Sequence, residues 1–464
     1  MSDAARVVVV GGGVSGLTAA HSVLTGATGP IEVMVLEAAP TVGGVIRTSP
    51  FAGLDAVDEG ADAFLTRVPW ARDLAVELGM SSELTSPTGA HAMVWHDRLH
   101  PIPSDLLLGV PAKVRSFAAS SLISPLGKLR AALEPLLPRT DDTDSIGHYV
   151  RRRFGNEIHE LLVDPLVGSI YAADTDRFSL AAVPQIAALT GERSMLAAAS
   201  RARRTAQAPS TGPVFAVPRR GMGSLVDALT LDITARGASV RTSTKVVSVE
   251  RSGNSFSVST SAGEVHADSL IVATPAAHSA PFLTSLDEHA STMLAGWTHA
   301  SVVLITMAIP TREWPVRLAG SGYLVPKPDQ RWVTAASFGS NKWAHWRPAD
   351  GSMVLRVSLG RDGLDVMHFD DDALVNLALA DLKHHLGVDF APTAIRVSRW
   401  PESFPQYRPF HFRALAEIEH SLGTRAPGVF LAGASFRGIG IPACIQQARS
   451  AAAAALAHIA IVRR

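Results

Sequence analysis

The strongest constraint on this chain lies close to its N-terminus. Residues 6–10, Arg6 followed by four valines, run straight into Gly11-Gly12-Gly13-Val14-Ser15-Gly16, and a second apolar run over residues 31–36 ends in Glu37. The acid stands 21 residues beyond Gly16, the spacing of a βαβ unit that binds a dinucleotide. Consecutive β-branched residues suit a strand buried on both faces. Gly11 permits the tight turn, Gly13 lets the backbone approach a pyrophosphate, and Gly16 lets the helix pack close to the strand. The amides that open this helix then face phosphate oxygens, and Glu37 is expected to take the two hydroxyls of an adenosine ribose. A glycine triplet alone is a weak signal. The strand, the spacing and the acid together make it a strong one.

Bulk properties narrow the class. With 464 residues and a prior of about 150 per domain, two or three domains are expected. Hydrophobic residues make up 47 % and charged ones 18 %, a composition that builds large cores. Lysine plus arginine and aspartate plus glutamate both count 42, so bulk charge predicts no nucleic-acid partner. A single cysteine rules out a disulfide framework and fits a reducing compartment. The first strand begins too near Met1 for a signal peptide to be expected. No run of about 18 uncharged apolar residues predicts a membrane span. The 17 histidines show no metal-ligand spacing, so no metal is expected. These points together predict a cytoplasmic enzyme, soluble or held peripherally at the inner face of a membrane.

Along the chain, a second glycine pair, Gly43-Gly44, follows the acid closely, where a turn could approach the diphosphate again. Residues 98–204 read as mostly helical. Residues 106–137 mix apolar side chains at helical spacing with Lys113, Arg115, Lys128 and Arg130, a basic amphipathic face. Such a face suits a solvated helix surface or a membrane contact. A polar stretch reaches to Pro213, and Gly221-Met222-Gly223-Ser224 opens a helix to about Arg236. Residues 240–250, 255–260 and 270–273 read together as a β-meander. A second strand-rich block spans 301–360, followed by a helix over 371–386. The chain closes with Gly428-Val429-Phe430-Leu431-Ala432-Gly433, then Gly438-Ile439-Gly440-Ile441-Pro442 and an alanine-rich helix. Nucleotide-type βα elements at both ends imply one discontinuous cofactor domain interrupted by insertions.

This combination resembles the FAD-dependent amine oxidase superfamily, which includes the amine oxidases, carotenoid desaturases and porphyrinogen oxidases. Within it, the chain is most similar to the oxygen-dependent protoporphyrinogen/coproporphyrinogen III oxidases of the Gram-positive type. The stretches that carry this likeness include Gly44-Val45-Ile46-Arg47-Thr48, Gly60-Ala61-Asp62-Ala63-Phe64-Leu65 and Leu99-His100-Pro101-Ile102-Pro103. They continue with Asp164-Pro165-Leu166-Val167-Gly168-Ser169-Ile170-Tyr171-Ala172, Gly322-Tyr323-Leu324-Val325-Pro326, Leu359-Gly360-Arg361 and Gly433-Ala434-Ser435. The likeness spans essentially the whole chain. It departs at Thr41, where a basic residue is common, at Ala173, where glycine is common, and at Phe410, which precedes His411 where glycine is usual.

The resemblance implies an α/β fold with α+β insertions. A Rossmann-like FAD-binding domain would comprise 1–90, 214–300 and 400–464, with a mostly helical insertion at 91–213 and a mixed-sheet substrate domain at 301–399. It implies non-covalent FAD, held by Gly11, Gly12, Gly13, Val14, Ser15, Gly16, Glu37, Ala38, Gly44 and Val45 around the ADP half. Gly60, Ala61, Asp62 and Ala63 would lie along the flavin, Val246 would meet the adenine, and Trp400, Gly433, Ala434, Ile439, Gly440 and Ile441 would close the flavin end. It further implies a porphyrinogen substrate, O₂ as acceptor, H₂O₂ as product and hand-over to the next enzyme of haem synthesis. Coproporphyrinogen III is favoured over protoporphyrinogen IX.

Other readings have weaker support. Cys444 follows the final strand, so a covalent flavin link is not expected there, and a buried, inert thiol is. Ile439 and Ile441 stand where an amine oxidase places an aromatic ring, which counts against an amine or amino-acid oxidase. A non-catalytic FAD-binding porphyrin carrier is the alternative in another class. No side chain demands the role of general base. Among basic groups, Arg151, Arg152, Arg153, Lys342 and Arg356 are candidates to pair with substrate propionates.

Overall fold

The computed structural model describes residues 4–463 apart from 104, 114–116, 139–142, 206–212 and 316–317. Arg115 and most of the polar stretch before Pro213 lie outside the described residues.

The valine-rich run forms the strand Ala5–Val10, the centre of a five-stranded parallel sheet. The order is Ser239–Arg241, Ile31–Leu36, Ala5–Val10, Ser269–Val272 and Val429–Leu431. Val7 and Val9 point into one core, Val8 and Val10 into another, and all four are buried. Burial on both faces is why this strand carries no polar alternation; each valine contributes about 1.5–3 kcal/mol by leaving water. One face is covered by the first helix, Val14–Gly26, and the last, Ile441–Val462, whose alanines bring the two close together. The two ends of the chain therefore build one layer.

The other face carries an antiparallel meander and three helices, Ala276–Leu283, Glu288–Ala295 and His411–Arg425. The meander differs from the sequence expectation. It consists of Val246–Ser252, Ser255–Thr260 and Gly263–Ala267. Val240 instead lies on the edge strand beside Val35, and Leu270 pairs in parallel with Val8. The reason is burial. Residues 269–272 are buried throughout, whereas 255–260 alternate about an apolar inner row at Phe256 and Val258.

A seven-stranded sheet forms the second layer, in the order Ala394–Pro405, His299–Ile309, Met353–Leu359, Val333–Phe338, Gly322–Leu324, Ala92–His96 and Arg98–Pro101. Its odd-numbered residues at 303, 305, 307, 355, 357 and 359 point into a core shared with the helix Asp371–Leu386. The even-numbered ones, which include Val302, Leu304, Arg356 and Ser358, face a cavity. That helix starts at Asp370, whose carboxylate accepts from Ala373 N–H at 2.8 Å, and stops at left-handed Gly387.

Residues 125–205 are largely helical and close over a core of their own. Residues 106–111 form a small hairpin rather than a helix, and the helix Pro125–Ala132 starts only after Ser124, whose hydroxyl accepts from Gly127 N–H. The three consecutive arginines end the helix Ile146–Phe154. Arg153 is fully buried in an ion pair with Glu134, and Arg151 pairs with Asp176 and Glu160.

Candidate functional site

At the end of the central strand, Gly11 adopts φ +106° and its N–H donates to Leu36 O at 2.8 Å, tying the turn to the neighbouring strand. A Cβ on Gly16 would fall 1.8 Å from Gly11 O, so the close approach of helix to turn admits glycine only. A Cβ on Gly13 would meet nothing within 4 Å, because that side opens on the cavity. Gly13 caps the first helix without a side-chain hydrogen bond, and no acid lies in the first turn. The opening amides and the positive end of the helix are therefore presented to whatever fills the space.

Glu37 sits beside this turn. Its Oε2 accepts from Gly12 N–H at 2.6 Å and its Oε1 from Ala39 N–H at 2.8 Å. Two amides thus fix the carboxylate, and each oxygen keeps a lone pair for a hydroxyl. The second glycine pair folds back onto the first: Gly43 N–H donates to Gly12 O at 2.8 Å, and Gly43 and Gly44 take φ +108° and +60°. An anion-binding turn, an oriented acid and glycines that leave room fit the ADP half of a dinucleotide.

From here a cavity of about 1430 Å³ runs to the inner face of the seven-stranded sheet. Gly11, Gly13, Val14, Ser15, Glu37, Ala38, Gly44, Val45 and Val246 line one part of it. Gly60, Ala61, Trp400, Gly433, Ala434, Ile439 and Ile441 line another. The fold thus gathers sequence-predicted residues from both chain ends. Gly12, Gly16, Asp62, Ala63 and Gly440 do not line it. Gly12 and Gly16 shape the turn behind it, and Ala63 packs against the core.

The Asp62 side chain is committed to the seven-stranded layer. Its Oδ2 accepts from Lys342 Nζ and Arg356 Nη2, each at 2.8 Å, and from Trp343 Nε1 at 3.2 Å. Burial alone would raise its pKa, but the two cations hold the carboxyl well below the usual range. Arg356 Nη1 also donates to the carbonyls of Asp58 and Gly60 at 3.2 and 3.0 Å, so the loop 58–62 is fastened to the sheet. Trp400 closes over the same loop. Its Nε1 donates to Glu59 O at 3.1 Å, and a Cβ on Gly60 would lie 3.3 Å from its ring.

Cys444 also borders the cavity, and burial pushes its thiol up to about 11. The neutral thiol is a poor nucleophile at neutral pH. Tyr323 is buried, with its hydroxyl 3.1 Å from His385 Nδ1, and Trp343 is a core residue. His100 is held between Ser121 and His96 O. Arg151, Arg152 and Arg153 do not reach the cavity, whereas Lys342 and Arg356 do. Sequence reasoning missed Asp164, Gln330 and Arg361 as lining residues. Arg361 was visible only as part of Leu359-Gly360-Arg361, and the strand's period of two, counted on from Arg356 and Ser358, breaks at Gly360 with φ +86°. Of the departures, Phe410 occupies a left-handed position, φ +66°, that glycine would fill without strain.

Residues 14–456 match the family model for flavin containing amine oxidoreductase. The chain is 32 % identical to coproporphyrinogen III oxidase of Bacillus subtilis (strain 168), over 99 % of this chain and 100 % of that protein. It is 31 % identical to coproporphyrinogen III oxidase of Mycobacterium tuberculosis (strain H37Rv), over 94 % of each. A crystal structure of a provisionally named protoporphyrinogen oxidase from Exiguobacterium sp. 255-15 superposes with a TM-score of 0.86 at 26 % identity, covering 98 % of this chain and 99 % of that one. The glycine cradle and the oriented acid are the parts such a flavin requires, and the chain belongs to the flavin containing amine oxidoreductase family.

Proposed function

We propose that this protein oxidises a porphyrinogen to the porphyrin in haem synthesis, with coproporphyrinogen III as its substrate and O₂ as its acceptor. The observation that carries the reading is the cavity itself. It continues from the glycine cradle onto the sheet face, and its lining is mostly apolar with a few cations, which suits a carboxylated macrocycle. Full-length likeness to proteins named coproporphyrinogen III oxidase supports the same choice. Bound in the cradle, FAD would supply the two-electron acceptor, regenerated by O₂ with release of H₂O₂.

The chain's own contribution is position and exclusion of water. Gly60 and Ala61 line the cavity from the loop that Arg356 fastens, and Val302 and Leu304 line it from the sheet. A macrocycle held against these residues is oriented for transfer from a meso carbon, and orientation is worth several kcal/mol of barrier. Three rounds remove six electrons and six hydrogens, and the gain of aromaticity drives them. Domain roles follow: the parallel-sheet layer holds cofactor, the seven-stranded layer holds substrate, and the helical region closes one end of the cavity. No described helix is long and apolar enough to cross a membrane.

Steady-state kcat/KM for the two porphyrinogens, read by porphyrin fluorescence with H₂O₂ in parallel, tests the reading. Turnover of coproporphyrinogen III several times more efficient than that of protoporphyrinogen IX is expected. A yellow protein that yields neither porphyrin nor H₂O₂ refutes it.

A further inference from the structure

Three cations from the substrate sheet and its flanking turns border the cavity, and they differ in what they already hold. Lys342 and Arg356 share Asp62 and are tethered to the loop 58–62. Arg361 is not paired in this way. Its Nε donates to Gln330 Oε1 at 2.7 Å and its Nη1 to Asp362 O at 3.0 Å; among the described residues no carboxylate lies within 4.0 Å of its guanidinium. Asp362, next to it, is taken by Arg408, bonded through both oxygens.

The environment fixes the orientation of this arginine. Gln330 Nε2 donates to Val325 O at 2.7 Å, which turns the amide so that its oxygen must face Arg361 Nε. Gly360 ends the strand at φ +86°, and a Cβ there would sit 2.7 Å from Ser301 O, so the turn that delivers Arg361 is closely packed. Asp362 N–H donates to Ala172 O at 2.8 Å, joining that turn to the end of the helix Asp164–Tyr171. Two acids feel the charge of Arg361: Asp164, which borders the cavity, is bonded to Thr175 and has its pKa raised by burial, and Asp174 is paired with Lys327. Three residues of strand, about 10 Å, and the turn at Gly360 separate Arg361 from Arg356. Arg361 thus lies toward the end of the cavity remote from the loop 58–62.

We infer that Arg361 receives a peripheral carboxylate of the substrate, with Gln330 as its positioning residue. An oriented guanidinium with free donors and no carboxylate within 4.0 Å is a ready fork for a carboxylate. The inference rests on the porphyrinogen reading and adds to it which group anchors the ring and at which end.

The test compares coproporphyrinogen III with its tetramethyl ester in the wild type, Arg361→Met and Arg361→Lys, with flavin content and thermal midpoint measured on each. In Arg361→Met, KM for the acid should rise about ten- to hundredfold, the range for losing a hydrogen bond to a charged group. Its kcat should stay within about twofold, because the group touches no reacting atom. KM for the ester should not move, and Arg361→Lys should recover part of the loss. Should Arg361→Met lose flavin or fail to fold, Arg361→Lys alone decides: a KM increase confined to the acid supports the inference. Equal KM changes for acid and ester, or none for either, overturn it while leaving the function standing. Absence of turnover with any porphyrinogen in the wild type overturns the function and this inference with it.

Discussion

Asp58 offers a sharp test of how the cavity loop is held. The residue is fully buried; its Oδ1 accepts from Thr48 Oγ1 at 2.5 Å and from Met222 N–H at 2.8 Å, while Oδ2 has no partner among the described residues. Burial pushes its pKa up to about 6, with Asp62 adding to the rise; the bonds from Thr48 and Met222 and the charge of Arg356 offset only part of it. In the unfolded chain the group titrates near 3.9. Between those values the folded state binds more protons, so stability falls as pH rises through about 6 and is greatest in acid. From these two pKa values the group stabilises the fold by about 1.4 kcal/mol more at pH 5 than at pH 8. Asp58→Asn copies the shape of the neutral acid and cannot titrate. Urea unfolding of both proteins across pH 5–8 should therefore show their stability difference moving in the wild type's favour by that amount as pH falls. A difference that stays flat, or moves the other way, refutes the argument that a buried, half-satisfied carboxyl anchors this loop.

Two further outcomes follow from the same geometry. Gly16→Ala places a methyl 1.8 Å from Gly11 O and should yield little flavin-bearing protein, whereas Gly13→Ala, with open space at its Cβ, should fold with an unchanged thermal midpoint but hold flavin more weakly. Flavin absorbance per polypeptide reads both, and normal occupancy in Gly16→Ala contradicts the packing argument. Asp62→Asn leaves Lys342 and Arg356 without their shared carboxylate and should cost about 3 kcal/mol at pH 7, the low end for breaking a buried pair because Lys342 keeps some contact with water. Since the wild-type carboxyl is held below its usual range, this stability is present at neutral pH and is lost only as pH falls well below 4. An Asn variant that unfolds at the wild-type urea concentration at pH 7 contradicts it.

Local chemistry carried much of this protein's architecture in legible form. Four valines and a glycine turn identify a doubly buried strand and the helix after it, because both depend on contacts within a few residues. Asp370 and Gly387 mark the ends of the helix Asp371–Leu386 by capping, again a local matter. The final strand and alanine-rich helix were readable as a partner for the N-terminal unit because a nucleotide-binding sheet needs both its faces covered. What the chain does not display locally is which charges meet. Asp62 joins Lys342 and Arg356 across 280 and 294 residues, and no periodicity or spacing encodes that meeting. Three consecutive arginines draw the eye in the sequence, yet Arg153 is consumed by Glu134 and Arg151 by Asp176. Arg361, unremarked between a glycine and an aspartate, is the cation of the substrate sheet that faces the cavity with no carboxylate within 4.0 Å among the described residues. A side chain's type is written in the sequence, but its partners depend on how layers from distant segments pack, and only the tertiary structure decides which cation remains free to bind.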